Sequence, residues 1–170
     1  GADCRWACEA GEMAPWLDHP GDIYSAMVLS LRDYVERNRF PGVVLGNPKG
    51  KTVLVEFTDY NCPYCAASLK DLNRMIAEDP DLKVVIREWP IFEGSDVASR
   101  MALAAGLQGK YAAFHDAMFA TRDVEAAARA AELDMARAQR DAASEAVSGE
   151  IARNLDHARA LGFTGTPAWI

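Results

Sequence analysis

Thr52-Val53-Leu54-Val55-Glu56-Phe57, running on into Thr58-Asp59-Tyr60-Asn61-Cys62-Pro63-Tyr64-Cys65, is the stretch whose reading decides the fold. Its first six residues form a short, β-branched, nearly continuous apolar run, the pattern of a central strand buried on both faces. The turn-rich Gly46-Asn47-Pro48-Lys49-Gly50 precedes it. Beyond Cys62 the period changes: Cys65, Leu69, Leu72 and Ile76 share one helical face, and Pro63 suits a first turn, where its missing N–H costs nothing. The reading is a helix over 62–77. Next, Leu82-Lys83-Val84-Val85-Ile86-Arg87-Glu88-Trp89 reads as a second strand, ended by Pro90. Strand, helix, strand is a βαβ unit with a right-handed crossover, so the fold class is α/β.

Outward from this unit the composition changes. Residues 96–161 are Ala-rich with few β-branched side chains, and Ala is the best helix former, so four or five helices are expected there. Breaks are expected at Gly106, at Gly109, near Thr121-Arg122-Asp123 and near Ser148-Gly149. The tail Gly162-Phe163-Thr164-Gly165-Thr166-Pro167-Ala168-Trp169-Ile170 returns to loop and begins a strand. Upstream, Ile23, Met27, Leu31 and Val35 recur every fourth position, one stripe of an amphipathic helix over 23–38 that Pro41-Gly42 stops. Residues 1–22 show no clear period and read as an irregular lead-in.

The totals narrow the function. With 170 residues, half of them apolar, the chain can bury one sizeable core. Lys plus Arg number 18 against 25 Asp plus Glu, a formal charge of −7 that repels nucleic-acid backbones and anionic lipid. No stretch approaches the roughly 20 apolar residues that span a bilayer, and Gly1-Ala2-Asp3-Cys4 lacks the basic and apolar regions of a signal peptide. The expectation is a cytosolic protein or one whose signal has been removed. The four cysteines form two local pairs, Cys4 with Cys8 and Cys62 with Cys65, a pattern of redox or metal chemistry rather than a disulfide scaffold.

A cysteine at the end of a strand-to-helix loop sits beside unpaired backbone N–H groups and the positive end of the helix dipole, both of which favour thiolate. Cys62 is therefore the candidate nucleophile. Cys65, one turn further, faces it closely enough to resolve a disulfide and is expected to be the less exposed of the two. A stabilised thiolate favours the reduced form and makes the disulfide more oxidising; Pro63-Tyr64 adds no further cation. The competing reading of C-x-x-C is half of a zinc or copper site, with Cys4 and Cys8 as further ligands.

Three more residues compete between roles. Glu56 interrupts the apolar strand six residues before Cys62; alternation aims it at the base of the active-site helix, where a desolvated carboxyl of raised pKa suits moving the Cys65 proton. The alternative is a strand-end glutamate paired with a surface Lys. Thr166-Pro167, ahead of an apolar strand, is a place for a cis peptide that offers Thr166 backbone groups to an extended substrate, or a plain loop proline. His115, between Phe114, Met118 and Phe119, reads as a half-buried packing histidine rather than a base.

The run from Gly46-Asn47-Pro48 through Val53-Leu54-Val55-Glu56-Phe57-Thr58-Asp59-Tyr60-Asn61-Cys62-Pro63-Tyr64-Cys65 closely resembles the DsbA-like family of bacterial periplasmic thiol-disulfide oxidoreductases. Phe114-His115-Asp116-Ala117-Met118-Phe119 is similar to a segment of that family's helical domain, and Gly162-Phe163-Thr164-Gly165-Thr166-Pro167 to its cis-proline loop. The resemblance implies a thioredoxin-like fold over 43–95 and 162–170 with an inserted α-helical domain at 96–161, behind an N-terminal extension over 1–42. It also implies Cys62 as nucleophile, Cys65 as resolving cysteine, Glu56 as buried carboxylate, and Pro167 as cis-proline with Thr166 before it. A periplasmic location, protein thiol and disulfide substrates and a membrane redox partner follow from the same likeness, with no cofactor. Thr before that proline resembles the isomerase and suppressor-of-copper-sensitivity branches, which leaves oxidase against isomerase open. A homo-oligomer built through the 23–38 helix would favour isomerase.

Two departures accompany it. The sequence stops at Ile170, where the family completes a strand, turns to an edge strand and adds a final helix, so those elements are expected to lie outside this sequence; a sheet edge left bare there is an aggregation liability. Cys4 and Cys8 have no counterpart in the family pattern and are open to a second redox pair, a structural bridge or no role.

Overall fold

Along residues 43–170, those described by the computed structural model, the elements run β1 (Val44–Gly46), β2 (Thr52–Thr58), α1 (Pro63–Glu78), β3 (Leu82–Glu88), α2 (Asp96–Leu107), α3 (Tyr111–Thr121), α4 (Val124–Ala130), α5 (Met135–Ala142), α6 (Glu145–Ala160) and β4 (Ala168–Trp169). The lead-in over 1–22, the amphipathic helix over 23–38 with its proposed oligomer contact, and Cys4 and Cys8 lie outside the described residues.

The sheet order is β1-β3-β2-β4. β2 and β3 are parallel, in register from Thr52↔Leu82 to Thr58↔Glu88. β1 is antiparallel to β3, and β4 antiparallel to β2 through Glu56↔Trp169 and Phe57↔Ala168. The expected central strand is thus β2, flanked on both sides. Its first half departs from the expectation of burial on both faces: Val53 is 40% exposed, and full burial begins only at Val55.

Partners across a parallel pair point to the same side, and alternate residues along a strand return to it. Glu56, Thr58, Ile86 and Glu88 therefore share one face, Phe57 and Arg87 the other. On the first face Val84 and Ile86 join Tyr60, Leu72 of α1, Leu103 of α2 and Phe114 of α3 in one hydrophobic cluster. On the second, Phe57 meets Trp89 and Phe163 edge-on, with ring centroids 6.1 and 5.3 Å away. Arg87 is buried there in an ion pair with Glu150 of α6, Nη1 to Oε1 3.0 Å.

Five helices, α2 to α6, lie between β3 and β4, at the upper end of the expected number. Their close approach follows from composition, since Ala102, Ala104, Ala105, Ala127, Ala128 and Ala138 are fully buried and bring little bulk. Two expected breaks are corrected. Gly106 lies inside α2 with its surroundings packed, and Ser148-Gly149 lies inside α6, which begins where the Ser144 hydroxyl caps the Val147 N–H at 3.3 Å. The turn before α5 falls instead at Glu132, which takes a left-handed φ of 54° without a glycine to announce it. Strand β1 was not expected either, since three residues ending at Gly46 give no period to read.

Candidate active site

Asp59 fixes the loop that delivers Cys62. Fully buried, its Oδ1 accepts from the Asn61 N–H at 2.7 Å, and its Oδ2 accepts from the Ile91 and Phe92 N–H groups at 2.7 and 2.9 Å and from the Ser95 hydroxyl at 2.8 Å. The Asp59 carbonyl accepts from the Cys62 N–H at 3.1 Å, and the Asn61 side chain donates to the Glu93 carbonyl at 2.9 Å. One carboxylate thus ties the end of β2 to the loop after β3. Cys62 is the N-cap of α1, in extended backbone, and Pro63 occupies the first turn as the sequence implied.

Both thiols are free, and each residue is 1% exposed. The reduced site is closed over both sulfurs, burial weighs more heavily on Cys65 than on Cys62, and electrostatics separates them further. Burial pushes the Cys62 thiol up, but Thr166, the backbone and side chain of Cys65 and the backbone of Tyr64 direct enough hydrogen-bonding toward its sulfur to hold it below its ordinary value. For Cys65 burial dominates and raises the thiol to about 12. The helix N-terminus acts on the first sulfur and not the second.

The Thr166–Pro167 peptide bond is cis. It brings the Thr166 carbonyl 3.2 Å from Cys62 Sγ, which donates to it as a thiol. The Thr166 hydroxyl faces both sulfurs without completing a hydrogen bond. Cys62, Cys65, Thr166 and Pro167 are therefore brought together. Around them Tyr64, Ile91, Phe92 and Trp169 leave large apolar surfaces in solvent, Tyr64 at 73%.

Glu56 is buried in mid-strand, 3% exposed, and is not the surface-paired glutamate of the alternative reading. Burial, then the Glu88 carboxylate, raises it to about 8. The Thr58 hydroxyl lies between Glu56 and Cys65 and influences both, short of hydrogen-bond geometry to either. Thr58 is thus the neighbour that Glu56 and Cys65 share.

His115 is fully buried, deeper than expected, and burial lowers it to about 3, so the ring is neutral. It belongs to a polar cluster that sequence reading missed. Glu88 Oε1 accepts from the Tyr60 and Tyr111 hydroxyls at 3.0 and 2.6 Å, and both oxygens lie by His115 Nδ1, at 2.9 and 3.2 Å. The one available signal was a second carboxylate inside the apolar run of β3. Among the described residues no three His, Cys, Asp or Glu side chains are grouped to hold a metal, and no helix is long and apolar enough to cross a membrane.

Comparison with known proteins adds the following. The family model described as DSBA-like thioredoxin domain matches residues 53–170. A thioredoxin-like oxidoreductase from Silicibacter pomeroyi is 42% identical with a TM-score of 0.75, over 82% of this chain and 84% of its own. A periplasmic thioredoxin-like protein from Salmonella enterica serovar Typhimurium is 30% identical with a TM-score of 0.65, over 82% and 83%. The catalytic domain of Proteus mirabilis ScsC is 26% identical with a TM-score of 0.70, over 85% and 84%. The chain spans about a fifth of the length of the curated relatives it matches: Na(+)/H(+) antiporter NhaA 3 of Salinispora tropica is 26% identical over 135 residues, 74% of this chain and 21% of that protein.

Proposed function

Because the chain belongs to the family of DSBA-like thioredoxin domains, we propose that it is a thiol-disulfide oxidoreductase that exchanges disulfides with protein substrates through Cys62 and Cys65. The observation that carries this reading is the opposite displacement of two neighbouring thiols, Cys62 downward and Cys65 up to about 12, beneath the Thr166 carbonyl. Lowering the Cys62 thiol from its ordinary value makes its thiolate more available as a nucleophile and a better leaving group. In the oxidised enzyme a substrate thiolate attacks Cys62 Sγ, the Cys62–Cys65 bond breaks, and Cys65 leaves with the bonding electrons and takes up a proton. A second substrate thiolate then displaces Cys62. The substrate has gained a disulfide, the enzyme holds two thiols, and two electrons remain to be passed on.

Glu56 is the proton partner of Cys65 in this scheme, delivering through the Thr58 side, and Thr166 with Pro167 forms the backbone edge on which an extended substrate lies. The apolar rim of Tyr64, Ile91, Phe92 and Trp169 suits chains whose hydrophobic segments are still exposed. Stabilisation of the Cys62 thiolate favours donation of disulfides, hence an oxidising compartment, the periplasm, and a membrane redox partner that reoxidises the enzyme. The Salmonella relative is a periplasmic protein by name. The α2–α6 block acts as an inserted helical domain over 96–161 on a thioredoxin-like domain of 43–95 and 162–170. Assembly through the 23–38 helix would turn the same chemistry toward isomerisation.

The test uses Cys65→Ser in a background lacking Cys4 and Cys8. Reduced variant is mixed with scrambled ribonuclease and examined on a non-reducing gel. A persistent enzyme–ribonuclease adduct, absent when Cys62 is also replaced, is expected; no adduct, or an adduct independent of Cys62, would overturn the assignment.

A further inference from the structure

One face of the sheet carries polar side chains where a core is expected. Glu56, Thr58 and Glu88 are all buried, and Thr58 pairs laterally with Glu88 across the parallel β2–β3 register. Glu56 sits two residues upstream on the same face, which puts its Cα about 8 Å from that of Glu88, from a strand spacing of about 4.8 Å and two rises of about 3.3 Å. Two glutamate side chains bridge such a gap readily.

The oxygens gathered there are unevenly served. Glu88 Oε1 holds the two tyrosine hydroxyls, while Glu88 Oε2, Glu56 Oε2 and Thr58 Oγ1 have no hydrogen-bond partner among the described residues. Among the described residues no cation is seen to offset them on this face, since Arg87 points to the opposite one and pairs with Glu150. The titratable groups that do face the pair are Asp59 from the loop after β2, Cys65 from α1, Tyr60, and Tyr111 and His115 from α3, the last of them neutral. Two carboxylates in a dry patch without a cation do not both ionise at modest cost, so their protons come off as a pair. The tyrosine donors decide where the first charge goes, because they stabilise an anion on Glu88 and nothing comparable serves Glu56.

We propose that Glu56 and Glu88 share a single negative charge at neutral pH, seated on Glu88 by Tyr60 and Tyr111, and that Glu88 is thereby a positioning residue that keeps Glu56 protonated for delivery to Cys65. This rests on the reading of Glu56 as the proton partner of Cys65. The step balances: as the Cys62–Cys65 bond breaks toward substrate, Cys65 takes the bonding electrons and one proton from Glu56, which becomes a carboxylate and is refilled from solvent. Repulsion from Glu88 favours the refilling, and release stays downhill because the Cys65 thiolate is the stronger base.

Carboxyl carbon NMR titration of the reduced protein tests it directly, in the parent and in Glu88→Gln, Glu56→Gln and Tyr111→Phe. Glutamine keeps an oxygen to accept from the tyrosines. In Glu88→Gln the Glu56 midpoint should fall by about 1 to 2 pH units, as expected for neighbouring charges at an effective dielectric of about 20. In Glu56→Gln the Glu88 midpoint should move little, because Glu56 is still protonated while Glu88 titrates and the coupling shows only in the second, higher midpoint. In Tyr111→Phe the Glu56 midpoint should fall by less, since Glu88 loses a donor and protonates more readily; this variant carries the test if Glu88→Gln does not fold. A Glu56 midpoint that stays in place would overturn the proposal. Coupled midpoints in a protein whose Cys65 exchange rate is unchanged by Glu56→Gln would overturn it differently, by removing Glu56 from the exchange while leaving the shared charge.

Discussion

Replacing Glu56 with Gln should stabilise this protein at neutral pH while impairing it as an enzyme. The carboxyl ionises at its ordinary 4.5 in the unfolded chain and at about 8 in the folded one, because it is buried beside Glu88. A group whose folded pKa is raised binds its proton more tightly in the folded state, so its contribution is fully present below pH 4.5 and is lost as pH rises toward 8. At pH 7 the gap is 2.5 of those units, about 3 kcal/mol of stability that the parent has given up and a neutral isostere keeps. At 3% exposure little of this is screened by solvent. Guanidinium unfolding followed by tryptophan fluorescence, in reductant at pH 4, 5.5, 7 and 8.5, measures the difference between the two proteins. The gain of Glu56→Gln over the parent should grow by about 3 kcal/mol between pH 4 and pH 7. Parallel stability curves across that range would refute the burial argument for Glu56.

Other expectations follow from the same geometry. Iodoacetamide at pH 7 should label Cys62 at least ten-fold faster than Cys65, read by peptide mass spectrometry, because Cys62 is held below its ordinary value and Cys65 is raised to about 12. Asp59→Asn removes an acceptor that holds three donors on one oxygen and should cost about 2 to 3 kcal/mol in thermal unfolding, with slower Cys62 labelling as the loop loosens. Arg87→Met leaves Glu150 buried without that partner and should cost about 3 kcal/mol or more, yet leave the labelling rate of Cys62 in the folded protein unchanged, since the pair lies on the opposite face of the sheet.

What the sequence disclosed and what it withheld divide along sequence distance. Cys62, Pro63 and Cys65 carry their placement locally, through a change of period and a proline at a helix start, and the structure brings them to the first turn of α1 as read. Glu56 was legible because a charge inside an apolar run has to be explained, and Thr166-Pro167 because it precedes a strand. Glu88 and Thr58 were not, although each also interrupts an apolar run, because their meaning depends on the parallel register that sets them side by side, and register is not written in either strand alone. The role of His115 was half legible: helical spacing gave its burial, but Tyr60 and Glu88, its partners in the cluster, come from other elements. The break near Thr121-Arg122-Asp123 fell where expected, at Arg122, but the one at Glu132 was missed, since its positive φ is at a position where glycine would have been the signal. The closed state of Cys62 was invisible for the same reason as Glu88, since the Thr166 carbonyl over it lies 104 residues away.

The most direct test of the central claim is the equilibrium of the Cys62–Cys65 pair against glutathione buffers, quenched in acid and trapped with an alkylating probe, with Cys4 and Cys8 replaced. Stabilisation of the Cys62 thiolate predicts a pair clearly more oxidising than thioredoxin, whose potential is roughly −270 mV. A potential at or below that of thioredoxin would contradict the account and make the protein a reductase.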